Sequence, residues 1–259
     1  MIDLHCHVLC GIDDGPATIE GSIAIALASA STGTRTILAT PHVNWRYPNT
    51  ADTIAPAVAR LNERLTEEEI EVEILAGGEI AMTRIGDIAP DELSRLALAG
   101  GEWLLVEPPF TPLASGLDTI LIELQRQGHR ILLAHPERCP AFHREPDMLT
   151  ELVRGGILTS ITAGSLVGRF GDAPRRFAIA LLQQGLAHNV ASDAHDETSR
   201  RPGMASEIEQ AGMGPLTDWL TNAVPAAILN GAAIPARPDV DLPDPTAPSR
   251  SRWRLRRGH

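Results

Sequence analysis

Five of the nine histidines stand at the ends of short apolar runs: His5 and His7 in MIDLHCHVLCGIDDGP, His42 in ATPHV, His135 in LLAHPER and His195 in NVASDAH. Carboxylates occupy matching places. Asp14 follows the first run, Glu79 ends GGEI, Glu107 ends LLVEP, and Asp193 precedes His195 by two. Neutral imidazoles and carboxylates together suit Zn, Fe or Mn rather than a soft thiolate site. Residues i and i+2 of a strand point to one face, so His5 and His7 can reach one ion, and Asp193 and His195 share an orientation. A polar-faced strand running into a turn would explain any one of these pairs. Their recurrence on successive strand ends points to a metal centre. Nine candidate ligands exceed what one four- to six-coordinate ion can use, so two or three ions bridged by a carboxylate fit better.

The elements that would position these groups are seven β-like runs: IDLHCH (2–7), RTILATPH (35–42), VEILAGGEI (72–80), EWLLVEP (102–108), RILLAHPER (130–138), ILTSITAGS (157–165) and AHNVASDAH (187–195). Most hold adjacent apolar residues, as parallel strands covered on both faces do. Between them, 17–31, 52–67, 115–128, 145–155 and 172–185 read as helices, several stopping near glycine at Gly33, Gly128 or Gly185. Repeated strand–helix alternation predicts parallel βα units and an α/β barrel, with a doubly wound open sheet as the alternative. In a barrel, sites lie at the C-terminal ends of the strands, where these ligands fall. The sixth run, ending Thr-Ala-Gly-Ser, offers no strong ligand. His129, His143, His188 and His259 read as structural or surface residues, with His143 in a loop.

Composition narrows the function. The chain has 259 residues, 43% hydrophobic, and a net charge of −11. That balance argues against nucleic-acid or anionic-membrane binding. All 22 basic residues are arginine, which excludes lysine Schiff-base and Walker-loop chemistry. Three cysteines (Cys6, Cys10, Cys139) make no disulfide framework and fit a reducing, cytoplasmic setting. None has an arginine six residues on, so the C-x5-R spacing of cysteine phosphatases is missing. The N-terminus has no signal-peptide pattern, and no run of eighteen apolar residues suggests a membrane span. From residue 233 proline is dense and apolar periodicity stops, so 233–259 is expected to be a Pro/Arg-rich disordered tail on a single 1–232 domain.

MIDLHCHVLCGIDDGP, ATPHV, GGEI, LLVEPP, LLAHPER, ITAGSLVGRFG and NVASDAH together resemble the PHP superfamily, and within it the bacterial metal-dependent tyrosine-protein phosphatases of the CpsB/CapC type. The resemblance spans about residues 1–232. It implies a distorted seven-stranded (β/α)7 TIM-like barrel (the PHP fold) with three divalent ions, manganese first, with iron or zinc as alternatives. One ion would take His5, His7, Glu79 and Asp193. A second would take Glu79, Glu107 and His135, and the third Asp14, His42 and His195. Asp13 would shape the turn or support a ligand. Arg138 of HPER and Arg200 of TSRRPG match arginines that face phosphate, with Arg201 a competitor for the second place. The implied substrate is a phosphotyrosyl protein, an autophosphorylating bacterial tyrosine kinase of capsular or exopolysaccharide synthesis. The alternative is a small-molecule phosphatase such as a histidinol-phosphate phosphatase. A metal-dependent nuclease or a non-catalytic binding protein fits less well, the first because of the acidic balance and the second because every ligand is present. Trp45 and Tyr47 follow His42, and could either face an aryl ring or pack the loop.

Overall fold

A computed structural model describes residues 1–112 and 116–242. Among these, strand formation follows the apolar runs, but seven runs become nine strands. These are β1 (Ile2–Cys6), β2 (Thr36–Ala39), β3 (His42–Val43), β4 (Glu73–Ala76), β5 (Glu79–Ala81), β6 (Trp103–Glu107), β7 (Arg130–Ala134), β8 (Leu158–Thr162) and β9 (Asn189–Ala191). Two runs are cut in the middle. The second breaks at Thr40-Pro41, where proline has no N–H for a ladder. The third breaks at Gly77-Gly78, where a Cβ on Gly77 would lie 2.9 Å from Leu98 and one on Gly78 3.1 Å from Val43. Hydrogen bonds continue across both breaks, Gly77 N to Ala39 O (3.0 Å) and Glu79 N to Pro41 O (3.1 Å).

All strand pairs are parallel. One sheet runs β1-β2-β4 and the other β3-β5-β6-β7-β8-β9. The expected seven-stranded ring therefore takes the form of two parallel sheets, split at the same two kinks. Beyond β9 the chain continues beside β1 through Asp193 N to His5 O (2.9 Å) and His7 N to Ala194 O (2.9 Å). The strands are buried along almost their whole length, as in Trp103–Val106 and Ile131–Ala134, which explains why their sequences read as unbroken apolar runs.

Ten α-helices lie among the described residues, beside short 3-10 and π turns: α1 (Ile19–Ser31), α2 (Ala51–Glu67), α3 (Pro90–Arg95), α4 (Leu117–Arg126), α5 (Pro140–Arg144), α6 (Pro146–Arg154), α7 (Ala163–Leu166), α8 (Asp172–Gln183), α9 (Ala205–Gln210) and α10 (Val224–Leu229). The long ones were legible because they carry a buried stripe and a start signal. In α2, Ala51, Ile54, Val58, Leu61 and Leu65 form the stripe, and Thr50 with Thr53 closes a capping box. Gly33, Gly128 and Gly185 take the left-handed conformation just past α1, α4 and α8, as expected of helix stops. The short helices α3, α5, α7, α9 and α10 were not foreseen, being too brief to show a period. His143, expected in a loop, lies on α5.

Residues 233–242 form no helix or strand, but they are not loose. Trp219 donates to Pro235 O (3.0 Å), Arg237 donates to Leu182 O (3.1 Å), and Ile234, Val240 and Leu242 pack against the core. The expected domain boundary at 232 therefore falls inside a packed segment. The basic end of the chain and His259 lie outside the described residues.

Candidate metal centre

The nine predicted residues come from both sheets and meet in one place. His5 and His7 stand on and just after β1, with Nε2 atoms 3.2 Å apart. Glu79 on β5 lies between them and the other histidines. Its Oε1 is 3.3 Å from His5 Nε2 and 2.8 Å from His135 Nε2, while Oε2 is 3.3 Å from His7 Nε2 and 2.8 Å from His42 Nδ1. Asp193 Oδ1 is 3.6 Å from both His5 Nε2 and His7 Nε2. Glu107 at the end of β6 reaches His135 Nε2 (3.9 Å) and His42 Nδ1 (4.0 Å). Asp14 Oδ1 lies 3.5 Å from His42 Nε2 and 3.3 Å from His195 Nε2.

Four overlapping groups of ligand atoms, each within 4.8 Å, could hold an ion: His5, His7 and Asp193; His5, Glu79 and His135; His42, Glu79 and Glu107; and His7, Asp14, His42 and His195. The donor chemistry fits divalent ions of the zinc, iron and manganese kind. So do the loose ends. His42 Nδ1, Glu79 Oε2, His135 Nδ1 and His195 Nε2 are buried and make no well-aligned hydrogen bond, close as His42 and Glu79 lie. Polar atoms so placed cost free energy unless something satisfies them.

Local structure explains the aim of several of these groups. His135 (φ 31°) and Asp193 (φ 50°) both sit in the left-handed region directly past β7 and β9. Such a conformation costs a non-glycine residue about 1–3 kcal/mol and is held by its surroundings. Asp13 folds back under His7: its Oδ2 lies 2.7 Å from His7 Nδ1 and accepts from His42 N (3.1 Å), while Oδ1 accepts from Gly15 N (2.9 Å). That turn needs glycine, since a Cβ on Gly15 would lie 2.3 Å from His7 O. Asp3 does similar work one step deeper, accepting from Ser192 N (3.0 Å), Ser192 Oγ (2.5 Å) and His5 N (3.3 Å), and so ties β1 to the segment carrying Asp193. β8 and the start of α7, which supply no candidate ligand, support one instead. Thr162 N (3.0 Å) and Ser165 Oγ (2.7 Å) donate to buried Glu137, which fixes the turn between His135 and Arg138.

The field in this cluster is divided. Burial would raise the Glu79 and Asp193 carboxyls, but His5 and the surrounding cations hold both well below the usual carboxylate range. Glu107 goes the other way: burial and the neighbouring Glu79 charge push it up to about 8. Burial works against a charge on His7, yet Asp13 and Glu79 lift it to about 10. Burial and Arg138 lower His135 to about 4.

Two arginines flank the cluster. Arg138 donates to Asp193 Oδ2 at 2.7 Å and Arg200 donates to the same oxygen at 2.8 Å. Arg200 Nε is buried without a partner. Arg201 instead points toward Glu207 (3.9 Å), its side chain 58% exposed against 28% for Arg200. Between the two candidates, the geometry brings only Arg200 to the cluster.

Sequence reasoning missed the rings around Arg138. Its guanidinium lies 4.3 Å from the Phe170 centroid and 5.2 Å from that of Phe110, and Phe110 also stacks on His135 at 5.6 Å. With aromatics only 3% of the chain, a phenylalanine directly after LLVEPP and another in GRFG were signals available to find. Asp3 was available too, since Asp3, His5 and His7 alternate onto one strand face. Tyr47 stacks parallel to His42 at 6.0 Å, whereas Trp45 points outward, 65% exposed.

Comparison with known proteins agrees with this arrangement. The family model described as "Capsular polysaccharide synthesis, CpsB/CapC" matches residues 1–212. The chain is 38% identical over 203 residues to the tyrosine-protein phosphatase YwqE of Bacillus subtilis, covering 77% of this chain and 79% of that one. It is 30% identical over 220 residues to the tyrosine-protein phosphatase CpsB of Streptococcus pneumoniae, covering 79% and 86%. A crystal structure from work on YwqE and CpsB, described as unique metal-dependent tyrosine phosphatases, superposes with a TM-score of 0.81 at 32% identity, covering 94% of this chain and all of that one.

Proposed function

The chain belongs to the CpsB/CapC family of capsular polysaccharide synthesis, and from that premise we propose how its residues perform metal-dependent hydrolysis of phosphotyrosine on a protein. The observation that carries the reading is the convergence of nine imidazole and carboxylate groups beside two arginines that share one Asp193 oxygen. In this reading His5, His7, Glu79 and Asp193 hold one ion, Glu79, Glu107 and His135 a second, and Asp14, His42 and His195 a third. Manganese is our first choice, with iron and zinc accepting the same ligands. Bound there, such ions supply Lewis acidity and a water acidic enough to be deprotonated near neutral pH. We read the two parallel sheets as arcs of one distorted (β/α)7 barrel, supported by the bonds joining His5 and His7 to Asp193 and Ala194.

The chain's own groups do the rest. Arg138 and Arg200 bind the phosphate oxygens, their planar forks matching phosphate geometry. Each spends one N–H on Asp193 and keeps others for the substrate. Their charge offsets the negative charge that builds on those oxygens during transfer. The phenyl rings of Phe110 and Phe170 hold the Arg138 guanidinium in place. The tyrosine leaving group, with a pKa near ~10, needs less protonation than an alkoxide, so no general acid is assigned. The substrate protein we propose is an autophosphorylating tyrosine kinase of capsule or exopolysaccharide synthesis, met in the cytoplasm.

The test is phosphate release from a phosphotyrosyl peptide by chelator-stripped protein, with Mn, Fe(II), Zn and Mg restored separately. Histidinol phosphate and a His135→Ala variant run in parallel. Metal-dependent turnover of the peptide, abolished in the variant, is the expected result. Turnover of histidinol phosphate alone would move the function to small molecules.

A further inference from the structure

The rim beyond His42 and Glu79 carries a second group of residues outside the metal and phosphate machinery. β3 pairs with β5 in register, His42 opposite Glu79 and Val43 opposite Ile80. Continuing past both strand ends brings Trp45 beside Arg84, whose guanidinium lies 4.1 Å from the Trp45 ring centroid. Arg46 covers Tyr47 at 5.1 Å. The loop is firmly built. Asn44 Oδ1 accepts from Arg46 N (2.9 Å) and Tyr47 N (2.8 Å), Asn44 N donates to Tyr47 O (3.0 Å), and Asn49 Nδ2 donates to His42 O and Ile12 O (both 2.9 Å).

The charge here is positive on an acidic molecule. Acids outnumber arginines 33 to 22, and Arg64, Arg95, Arg138, Arg154, Arg169, Arg200 and Arg201 all lie within 4.0 Å of a carboxylate. Among the described residues Arg46 and Arg84 belong with Arg35, Arg60, Arg130, Arg144, Arg175, Arg176 and Arg237, which have no carboxylate within that distance; what sets the pair apart is that both lie just past β3 and β5, each on an aromatic face. Arg84 Nε is buried with no hydrogen-bond partner. Stacking leaves a guanidinium's charge uncompensated and its edge donors unused. An exposed tryptophan beside two such arginines has the composition of a binding hot spot.

We propose that Trp45, Arg46 and Arg84 form a docking surface for the peptide segment flanking the phosphotyrosine, and that they select segments with Asp or Glu within about three residues of it. Trp45 lies three residues beyond His42, and three extended residues span ~10 Å, so an extended peptide covers that separation in about three residues. The inference rests on the phosphatase reading and adds its substrate preference. On a protein of net charge −11, an acidic segment leaving the metal centre past His42 would meet here two cations that have no acid of their own.

The experiment uses three phosphotyrosyl peptides differing only in Glu, Ala or Lys flanks, together with p-nitrophenyl phosphate. Metal-loaded wild type is compared with Arg84→Glu and Arg46→Glu. Turnover is measured as kcat/KM, and binding of labelled peptides by fluorescence anisotropy. Wild type should prefer the Glu flank over the Lys flank by about fivefold to tenfold at low salt. Arg84→Glu should reverse that order while p-nitrophenyl phosphate turnover stays within twofold. Arg46→Glu gives the same reading should the first variant fail to fold. Indifference of wild type to the flank, or a Glu preference surviving both substitutions, would overturn the inference. If no aryl phosphate is hydrolysed at all, the phosphatase reading falls, and the anisotropy ranking alone decides the docking surface.

Discussion

Filling the centre with metal should expel protons, and the number follows from the groups described above. In the metal-free protein at pH 7, His7, lifted to about 10 against the effect of burial by Asp13 and Glu79, carries its proton. Glu107, pushed to about 8 by burial and by Glu79, is roughly nine-tenths protonated. Burial and Arg138 lower His135 to about 4, so it is already neutral. Asp14, Glu79 and Asp193 are all held low and ionised. A ligating imidazole or carboxylate must be deprotonated, so saturation releases about two protons per chain. The Glu79 carboxylate also raises His42, against the effect of burial. The sign is fixed: affinity rises with pH, by ~100-fold per unit for two protons, or about 2.7 kcal/mol. Titration calorimetry at pH 6.5, 7.0 and 7.5, in buffers with different heats of ionisation, counts the protons directly. Glu107→Gln removes one titrating group and should lower the count by about one. A release near zero, or one unchanged by Glu107→Gln, would refute the assignment of protons to these groups.

Three further outcomes are expected. Asp13→Asn, which removes the charge held against His7 Nδ1, should weaken metal binding by about 10–100-fold, read as a smaller rise in melting temperature at fixed metal; an unchanged affinity would remove Asp13 from the site. Phe170→Ala takes away one face of the Arg138 clamp and should lower kcat/KM on a phosphotyrosyl peptide about 2- to 30-fold, from the ~0.5–2 kcal/mol of a cation–π contact; activity equal to wild type would show the ring to be packing alone. His188, half-buried beside Thr159, is lowered by that partial burial to about 4. Its folded value lies below its unfolded one, so it supports stability above pH ~6.5 and withdraws that support as pH falls toward 4, ~2 kcal/mol of it between pH 7 and 5. Urea melts of His188→Gln should show a correspondingly flatter acid limb, and identical limbs would sink the assignment.

How much of this was legible in the sequence depended on whether a feature is local or assembled. The strand runs and the places of the candidate ligands were legible because burial on both faces writes itself as unbroken apolar sequence, and an i, i+2 pair shares a face. The splitting of two runs was not, although Pro41 and Gly77-Gly78 were the cause, because a kink within an apolar run leaves the composition unchanged. The grouping of Asp14 with His42 and His195 is assembled from a loop, the start of β3 and the segment past β9, so spacing alone could not supply it; the family resemblance did. Arg200 and Arg201 are neighbours in the chain, and only the turn bonded through Asp196 to Ser199 N and Arg200 N decides which one faces the cluster. Phe110 and Phe170 meet across sixty residues at Arg138, a contact no periodicity announces.

Asp193 has a consequence that reaches beyond placing ligands. One of its oxygens faces His5 and His7, and the other is shared by Arg138 and Arg200. In the proposed reading, an ion on the first side draws charge from Asp193 and loosens its hold on the arginines, and phosphate on the second draws the arginines away and frees the carboxylate for the ion. Two ligands that act through one group are thermodynamically linked, and the linkage is reciprocal. Whatever factor metal adds to phosphate affinity, phosphate must add to metal affinity. Substrate would then help retain the ions, and a cell short of metal would lose activity first where substrate is scarce.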